Sequence, residues 1–274
     1  MACSARLADM AGSIRVGIGG WTYEPWRGSF YPDGLPQKRE LDYASRHLTT
    51  IEVNSTYYRS QTPKTFADWH DETPEDFVFA LKAPRFSTNR KVLAEAGESI
   101  QRFIDSGIAE LRDKLGPINW QFMATKKFDA EDFAAFLALL PKEVEGRPLR
   151  HAVELRHESF LVPECAELLH RHGVAAVIAG DSEFPQFPDV TADFVYARIM
   201  GTTETAEAGY SSSDLARWSE VALNWAKGGD GGFPPIGKAT AKNPRDVFLY
   251  VISGHKAANP AAAMALIERL PNQA

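Results

Sequence analysis

Eight short apolar segments alternate along this chain with stretches whose apolar residues fall at helical spacing. That alternation points to a parallel sheet covered by helices, because joining parallel strands takes a crossover, usually helical. Strands are expected at residues 14–19, 49–54, 77–82, 118–123, 151–157, 174–179, 194–200 and 247–253. Helices are expected over 38–47, 65–72, 97–115 and 163–172, and from Ser212 or Ser213 to Trp225. Two more are expected, from the Asp129 cap to Leu140 and from the Asn259-Pro260 pair to Leu270. Gly116-Pro117 is expected to stop the helix over 97–115, and residues 228–244 read as a Gly/Pro-rich surface loop. Eight strands so separated predict a single (β/α)8 TIM barrel, an α/β fold. A doubly wound open sheet is the rival.

Length alone would allow one barrel or two smaller domains, but no linker or internal repeat divides the 274 residues. Residues 1–13 read as a flexible tail and 14–270 as the barrel domain. A formal net charge of -6 excludes a global basic field that would recruit nucleic acid, though not a local patch. Cys3 and Cys165 form neither a metal-ligand spacing nor a disulfide framework, which fits a reducing compartment. The apolar runs are too short to span a bilayer, and the first dozen residues lack the pattern of a signal peptide. A cytoplasmic location and no membrane partner are therefore expected.

The segment from His151 to His157 (HAVELRH) carries charge where a strand should be dry. Strand side chains alternate faces, so Glu154 and Arg156 share one face while Val153 and Leu155 share the other. Ionised groups on the inner face of a buried strand must be paired or open to a cavity. In a barrel, active sites lie at the C-terminal ends of the strands. Glu52, Asn54, Lys82, Gln121, Arg198, Asp181 and the segment Ser253–Lys256 fall at such ends as well. Two carboxylates beside several cations suit a division into acid and base, with Glu154 the acid/base and Glu52 its partner. Arg156 and Arg198 suit bidentate contact with a phosphate or carboxylate. Lys82 suits a phosphate ligand, a base or a Schiff-base amine. The competing reading is a satisfied ionic network that fills the barrel core.

Aromatic residues crowd the first two loops, at Trp21, Tyr23, Trp26, Phe30 and Tyr31 and then at Tyr57 and Tyr58. Aromatic faces beside polar groups suit stacking on a sugar ring or a base, and Trp21 and Tyr58 are the candidates for ligand contact. Most of the others fit rim packing equally well. The chain lacks a dinucleotide fingerprint, because Gly17-x-Gly19-Gly20 has the wrong spacing. The histidines form no clear metal signature. No cofactor is expected, and a Mg2+ or Mn2+ ion on Glu52 and Glu154 is the minor alternative.

Taken together these segments resemble the YecE-like family, a domain of unknown function (number seventy-two) with a TIM-barrel fold. The resemblance rests on VGIGGWTYEPWRGSFYP at 16–32, TTIEVNSTYYR at 49–59, PEDFVFALKAPR at 74–85, WQF at 120–122, AVELRHESF at 152–160 and TADFVYARIMG at 191–201. It implies that Glu52, Asn54, Lys82, Gln121, Glu154, Arg156 and Arg198 belong to the family pattern. It implies no reaction. The chain departs from the pattern after strand four, at Met123-Ala-Thr-Lys-Lys, and after strand eight, at Val251-Ile-Ser-Gly-His-Lys256. The barrel is similar to the sugar-isomerase and endonuclease-IV-like group, whose histidine-rich metal ligands are absent here.

Three functions compete. The first is an enzyme acting on a small anionic substrate, a phosphorylated sugar or nucleotide-like compound, bound by Arg156, Arg198 and Lys82 and oriented by Asn54 and Gln121. The second is a nucleic-acid-binding or repair-related barrel, with a basic mouth supplied by Arg27, Arg59, Lys82, Arg85, Arg90, Lys126, Lys127 and Lys256. The third is a noncatalytic ligand-binding barrel. The sequence leaves substrate and oligomeric state open.

Overall fold

The computed structural model describes residues 11–238 and 241–271. Residues 1–10 of the expected tail, and Cys3 with them, lie outside the described residues. The end of that stretch is tied to the barrel: Ser13 donates from its backbone N and its Oγ to Asp246 Oδ1 at 3.1 and 2.7 Å.

Among the described residues, eight parallel strands close into a barrel. They are β1 (Ile14–Gly19), β2 (Thr50–Val53), β3 (Val78–Lys82), β4 (Leu115–Gln121), β5 (His151–Glu154), β6 (Ala175–Gly180), β7 (Phe194–Ile199) and β8 (Asp246–Val251). Each pairs with its chain neighbour, and β1 closes on β8 through Ile14↔Val247 to Ile18↔Val251. Outside lie α1 (Glu40–Ser45), α2 (Pro63–Glu72), α3 (Gly97–Ile104), α4 (Ala130–Leu139), α5 (Pro163–His172), α6 (Ser212–Ala226) and α7 (Asn259–Arg269). The expected (β/α)8 TIM barrel is thus the fold, and the open sheet is excluded.

The parity of the strands builds two apolar layers. Val16, Ile18, Ile51, Val53, Phe79 and Trp120 face the helices. Inside the barrel, Ala80, Ala152 and Ala175 leave room for Phe194, Tyr196, Phe248 and Tyr250 from β7 and β8. Small residues on one wall and aromatics on the other fill the lumen without a pore. Gly17 belongs to the same economy of space. A Cβ there would lie 1.8 Å from the Thr50 carbonyl oxygen on β2. Gly17→Ala is therefore expected to force β1 from β2 and cost roughly 1–3 kcal/mol. An unchanged urea midpoint would contradict that close approach.

The structure corrects several boundaries. The helix expected over 97–115 ends at Ile104 and resumes as a 3-10 segment, Ile108–Lys114. Gly107, at φ 103°, makes the break, and its bare Cα lies under Pro63. The periodic residues Ile100, Phe103, Ile104, Ile108 and Leu111 are nevertheless buried, so the pattern reported a buried face rather than one continuous helix. Gly116-Pro117 does not stop that helix but lies within β4. The β3–β4 register shifts there, from Phe79↔Leu115 to Leu81↔Ile118, and a bulge tolerates a proline without N–H. Asn259 is the first residue of α7 rather than its cap, and its Oδ1 accepts from Thr202 Oγ1 at 2.8 Å. β6 and β7 are joined by residues 181–193, without a helix. Asp129 does cap α4, and Gly173 closes α5 in the left-handed conformation, as expected.

Candidate functional site at the barrel mouth

Five strands deliver charge or amide to one layer at their C-terminal ends: Glu52 from β2, Lys82 from β3, Asn119 and Gln121 from β4, Glu154 from β5, and Tyr196 and Arg198 from β7. Arg198 is the hub. Its Nη1 donates to both Glu154 oxygens, at 2.7 and 2.6 Å, and its Nη2 donates to Glu52 Oε1 at 3.2 Å. Glu52 Oε2 accepts from Tyr196 Oη at 2.6 Å and from Asn119 Nδ2 at 3.3 Å. Arg156 closes the top of the layer, its Nε and Nη2 reaching Glu154 Oε1 at 2.9 and 2.7 Å. The same Nη2 reaches Gln121 Oε1 at 3.0 Å, and Lys82 Nζ donates to that oxygen too. Lys82 Nζ also stands 4.7 Å from the centre of the Tyr57 ring.

Three cations against two carboxylates leave this layer with an excess of positive charge. Burial alone would raise the Glu154 carboxyl, but the charges of Arg198, Arg156 and Lys82 outweigh it and hold its pKa at about 2. Lys82 moves the other way. Burial first, and the Arg198 charge second, bring its pKa down to about 8 against the opposing pull of Glu52 and Glu154. Burial of Arg198 disfavours its charge, yet Glu154 and Glu52 raise its pKa overall, so it stays a cation.

The Glu154 shift has a direct consequence for acid stability. Its folded pKa lies below the ordinary value of 4.5, so its stabilisation is complete above that pH and is lost as pH falls through about 2. Urea midpoints measured across that window should fall steeply in the wild type and less steeply in Glu154→Gln. Equal slopes would contradict the pairing.

A cavity of about 310 Å3 sits directly above this layer. Lys82, Gln121, Arg156 and Arg198 form its floor, with Asn54, Tyr57 and Tyr58 on one wall and Ser253, Lys256 and Asn259 on the other. Of the described residues that line it, none is acidic. Glu52 and Glu154 are 0% and 1% exposed and lie beneath the cations, with their oxygens turned to guanidinium, phenol and amide donors. That placement does not suit the acid/base pair expected from the strand parity, nor a shared divalent ion without displacement of Arg198. Among the described residues no group of three or more His, Cys, Asp and Glu side chains gathers as a metal site.

The other expected residues divide. Asn54 and Tyr58 line this cavity, and Tyr58 is 65% exposed. Trp21 lines a neighbouring cavity. Asp181 turns away, its carboxylate accepting from Arg217 and from Trp218 Nε1 at 2.7 Å. Trp26, Phe30 and Tyr31 are buried rim packing, and Trp26 Nε1 holds the Lys256 carbonyl at 3.0 Å. Several of the basic residues expected around the mouth are occupied. Arg27 pairs with the buried Glu40, Arg90 bonds the Phe86 carbonyl, and Lys126 bonds Asp132 and the carbonyls of Arg90 and Lys91. Arg59, Lys82 and Lys256 line the mouth cavities. The segment after β8, which departs from the family pattern, supplies Ser253 and Lys256 to the wall.

Two residues escaped the sequence reading although parity marks them. Asn119 is two before Gln121, and Tyr196 is two before Arg198, so each shares the inner face.

Fold and site together define a (β/α)8 barrel with a cationic cavity at the C-terminal mouth. The chain belongs to the family described as protein of unknown function DUF72, whose model matches residues 15–274. The UPF0759 protein YecE of Escherichia coli strain K12 is 28% identical over 173 residues, which cover 60% of this chain and 58% of YecE. The match therefore spans less than two thirds of that relative. A DUF72 family protein from Thermotoga maritima superposes with a TM-score of 0.71 at 25% identity, covering 94% of this chain and 98% of the other. Another from Enterococcus faecalis gives 0.70 at 19% identity, covering 95% and 97%, and speaks for the fold alone. Among the described residues no helix is long and apolar enough to cross a membrane.

Proposed function

We propose that this protein is an enzyme acting on a small anionic substrate, a phosphorylated sugar or nucleotide-like compound, with Lys82 as its acid/base group. One observation carries the reading: Lys82, Arg156, Arg198 and Lys256 line the mouth cavity, and no carboxylate among the described residues lines it with them. Such a lining attracts an anion: Lys82 and Lys256 offer ammonium donors, and the guanidinium groups held by Glu52 and Glu154 add their positive field. Lys82 changes charge near pH 8, so it can hold or release a proton under ordinary conditions. Glu52 and Glu154 act from below as fixed counter-charges that orient Arg198 and Arg156. Gln121 and Asn54 orient the bound anion.

The test is a thermal-shift panel of inorganic phosphate, sugar phosphates, nucleotides and short oligonucleotides at fixed salt. A ligand at about 100 times its Kd should stabilise the protein by roughly 2.7 kcal/mol. Small phosphorylated compounds are expected to register, and the wild type, but not Lys82→Met, is expected to convert a hit to product by mass spectrometry. Silence with every small anion would overturn the reading. A response only to oligonucleotides would favour a nucleic-acid-binding barrel, and binding without turnover a noncatalytic one.

A further inference from the structure

A second cavity, of about 520 Å3, opens beside the first. Gly19, Asn54 and Lys256 line both. With no side chain, Gly19 leaves the boundary low: a Cβ there would press on Asn54 Nδ2 at 2.7 Å. The two cavities therefore offer one elongated ligand two adjoining compartments of different chemistry.

The second compartment is aromatic, and Arg59 and Lys256 are the charged residues at its edge. Trp21 and Trp69 both line it, and Trp21 is braced by edge contacts to Trp69, at a ring separation of 5.1 Å and 83°, and to the buried Phe79, at 6.5 Å and 65°. Asn54, Ser55, Gln61 and Thr65 supply amides and hydroxyls, and none of the described lining residues is acidic. Gln61 Nε2 and Ser55 Oγ are buried without a hydrogen-bond partner, an unfavourable state that an incoming acceptor would relieve. A rigid indole surface bordered by groups able both to donate and to accept suits a planar heterocycle with ring nitrogens and carbonyls. A polyhydroxyl chain would instead favour charged carboxylate acceptors, which this lining lacks.

We infer that the compartment walled by Trp21 is a nucleobase pocket, so that the substrate is a nucleotide: its phosphate sits over Lys82 and Arg156 and its base lies against Trp21. This rests on the anion-site reading above and narrows it. Tyr58, at the mouth of the first cavity, lies beside the path of the sugar.

The experiment titrates the full chain with inorganic phosphate, ribose 5-phosphate, a purine and a pyrimidine nucleoside monophosphate at fixed ionic strength, by calorimetry and by indole fluorescence. One stacked base is expected to improve affinity about tenfold over ribose 5-phosphate and to quench fluorescence. Trp21→Ala should remove that advantage and leave ribose 5-phosphate unchanged, while Trp21→Phe should restore most of it. Equal affinity of nucleotides and ribose 5-phosphate in the wild type would overturn the base pocket and leave the anion site standing. So would an equal weakening of both ligand types in Trp21→Phe. Failure of every phosphorylated probe to bind would overturn the anion site, and the base pocket with it.

Discussion

Arg198→Ala should be the most destabilising single change in the barrel mouth, with a loss of about 3–5 kcal/mol in urea unfolding. The guanidinium spans two carboxylates that are 0% and 1% exposed, and its removal leaves Glu52 with only neutral donors and Glu154 with Arg156 alone among its hydrogen-bonded cations. Arg198→Lys should recover little, because one ammonium cannot reproduce a fork that touches Glu154 through Nη1 and Glu52 through Nη2. A loss below about 1 kcal/mol, the scale of an exposed ion pair, would show that these charges are solvated rather than buried.

Lys82→Met should have the largest effect on ligand binding and the opposite sign on stability. Burial already works against the Lys82 charge, and Gln121 Oε1, its hydrogen-bond acceptor among the described residues, keeps Arg156 as a donor when the lysine is gone. The variant should therefore be at least as stable as the wild type near neutral pH while binding phosphorylated ligands about tenfold or more weakly, a difference of about 1.4 kcal/mol. In the wild type the lysine's folded pKa is about 8 against an ordinary 10.5. The folded state therefore binds fewer protons than the unfolded chain across that interval, and stability rises with pH there. Lys82→Met should lack that rise. Stability and anion affinity thus respond in opposite directions to the same group, as expected where a functional charge is held at some cost to the fold.

Strand parity made the charged layer legible. Glu154 in β5 and Glu52 in β2 follow from alternation, and the same rule applied to β4 and β7 would have yielded Asn119 and Tyr196; Arg156 and Asn54 lie beyond the ends of their strands, where the turns that follow set their place. Depth was not legible. Alternation tells which face a side chain takes, but not whether it meets the cavity or lies one layer below, and Glu154 lies below because Arg156 folds back over it. Helix continuity across Gly107 was equally hidden, since a buried apolar stripe survives a change from α to 3-10 geometry. The compartment beside Trp21 draws on β1, β2 and α2, and on Lys256 far along the chain. No local pattern brings those residues together; barrel closure does.

The most direct test of the cationic cavity is a calorimetric titration with ribose 5-phosphate from about pH 7, above which a phosphate monoester keeps its double charge, to about pH 10. If Lys82 is the titrating cation of an anion site, affinity should hold to about pH 8 and then fall, by about tenfold per unit at first, as the lysine loses its proton. Lys82→Met should be weak and flat across the same range. Tight wild-type binding that ignores pH over this interval, or no saturable binding at all, would contradict the assignment.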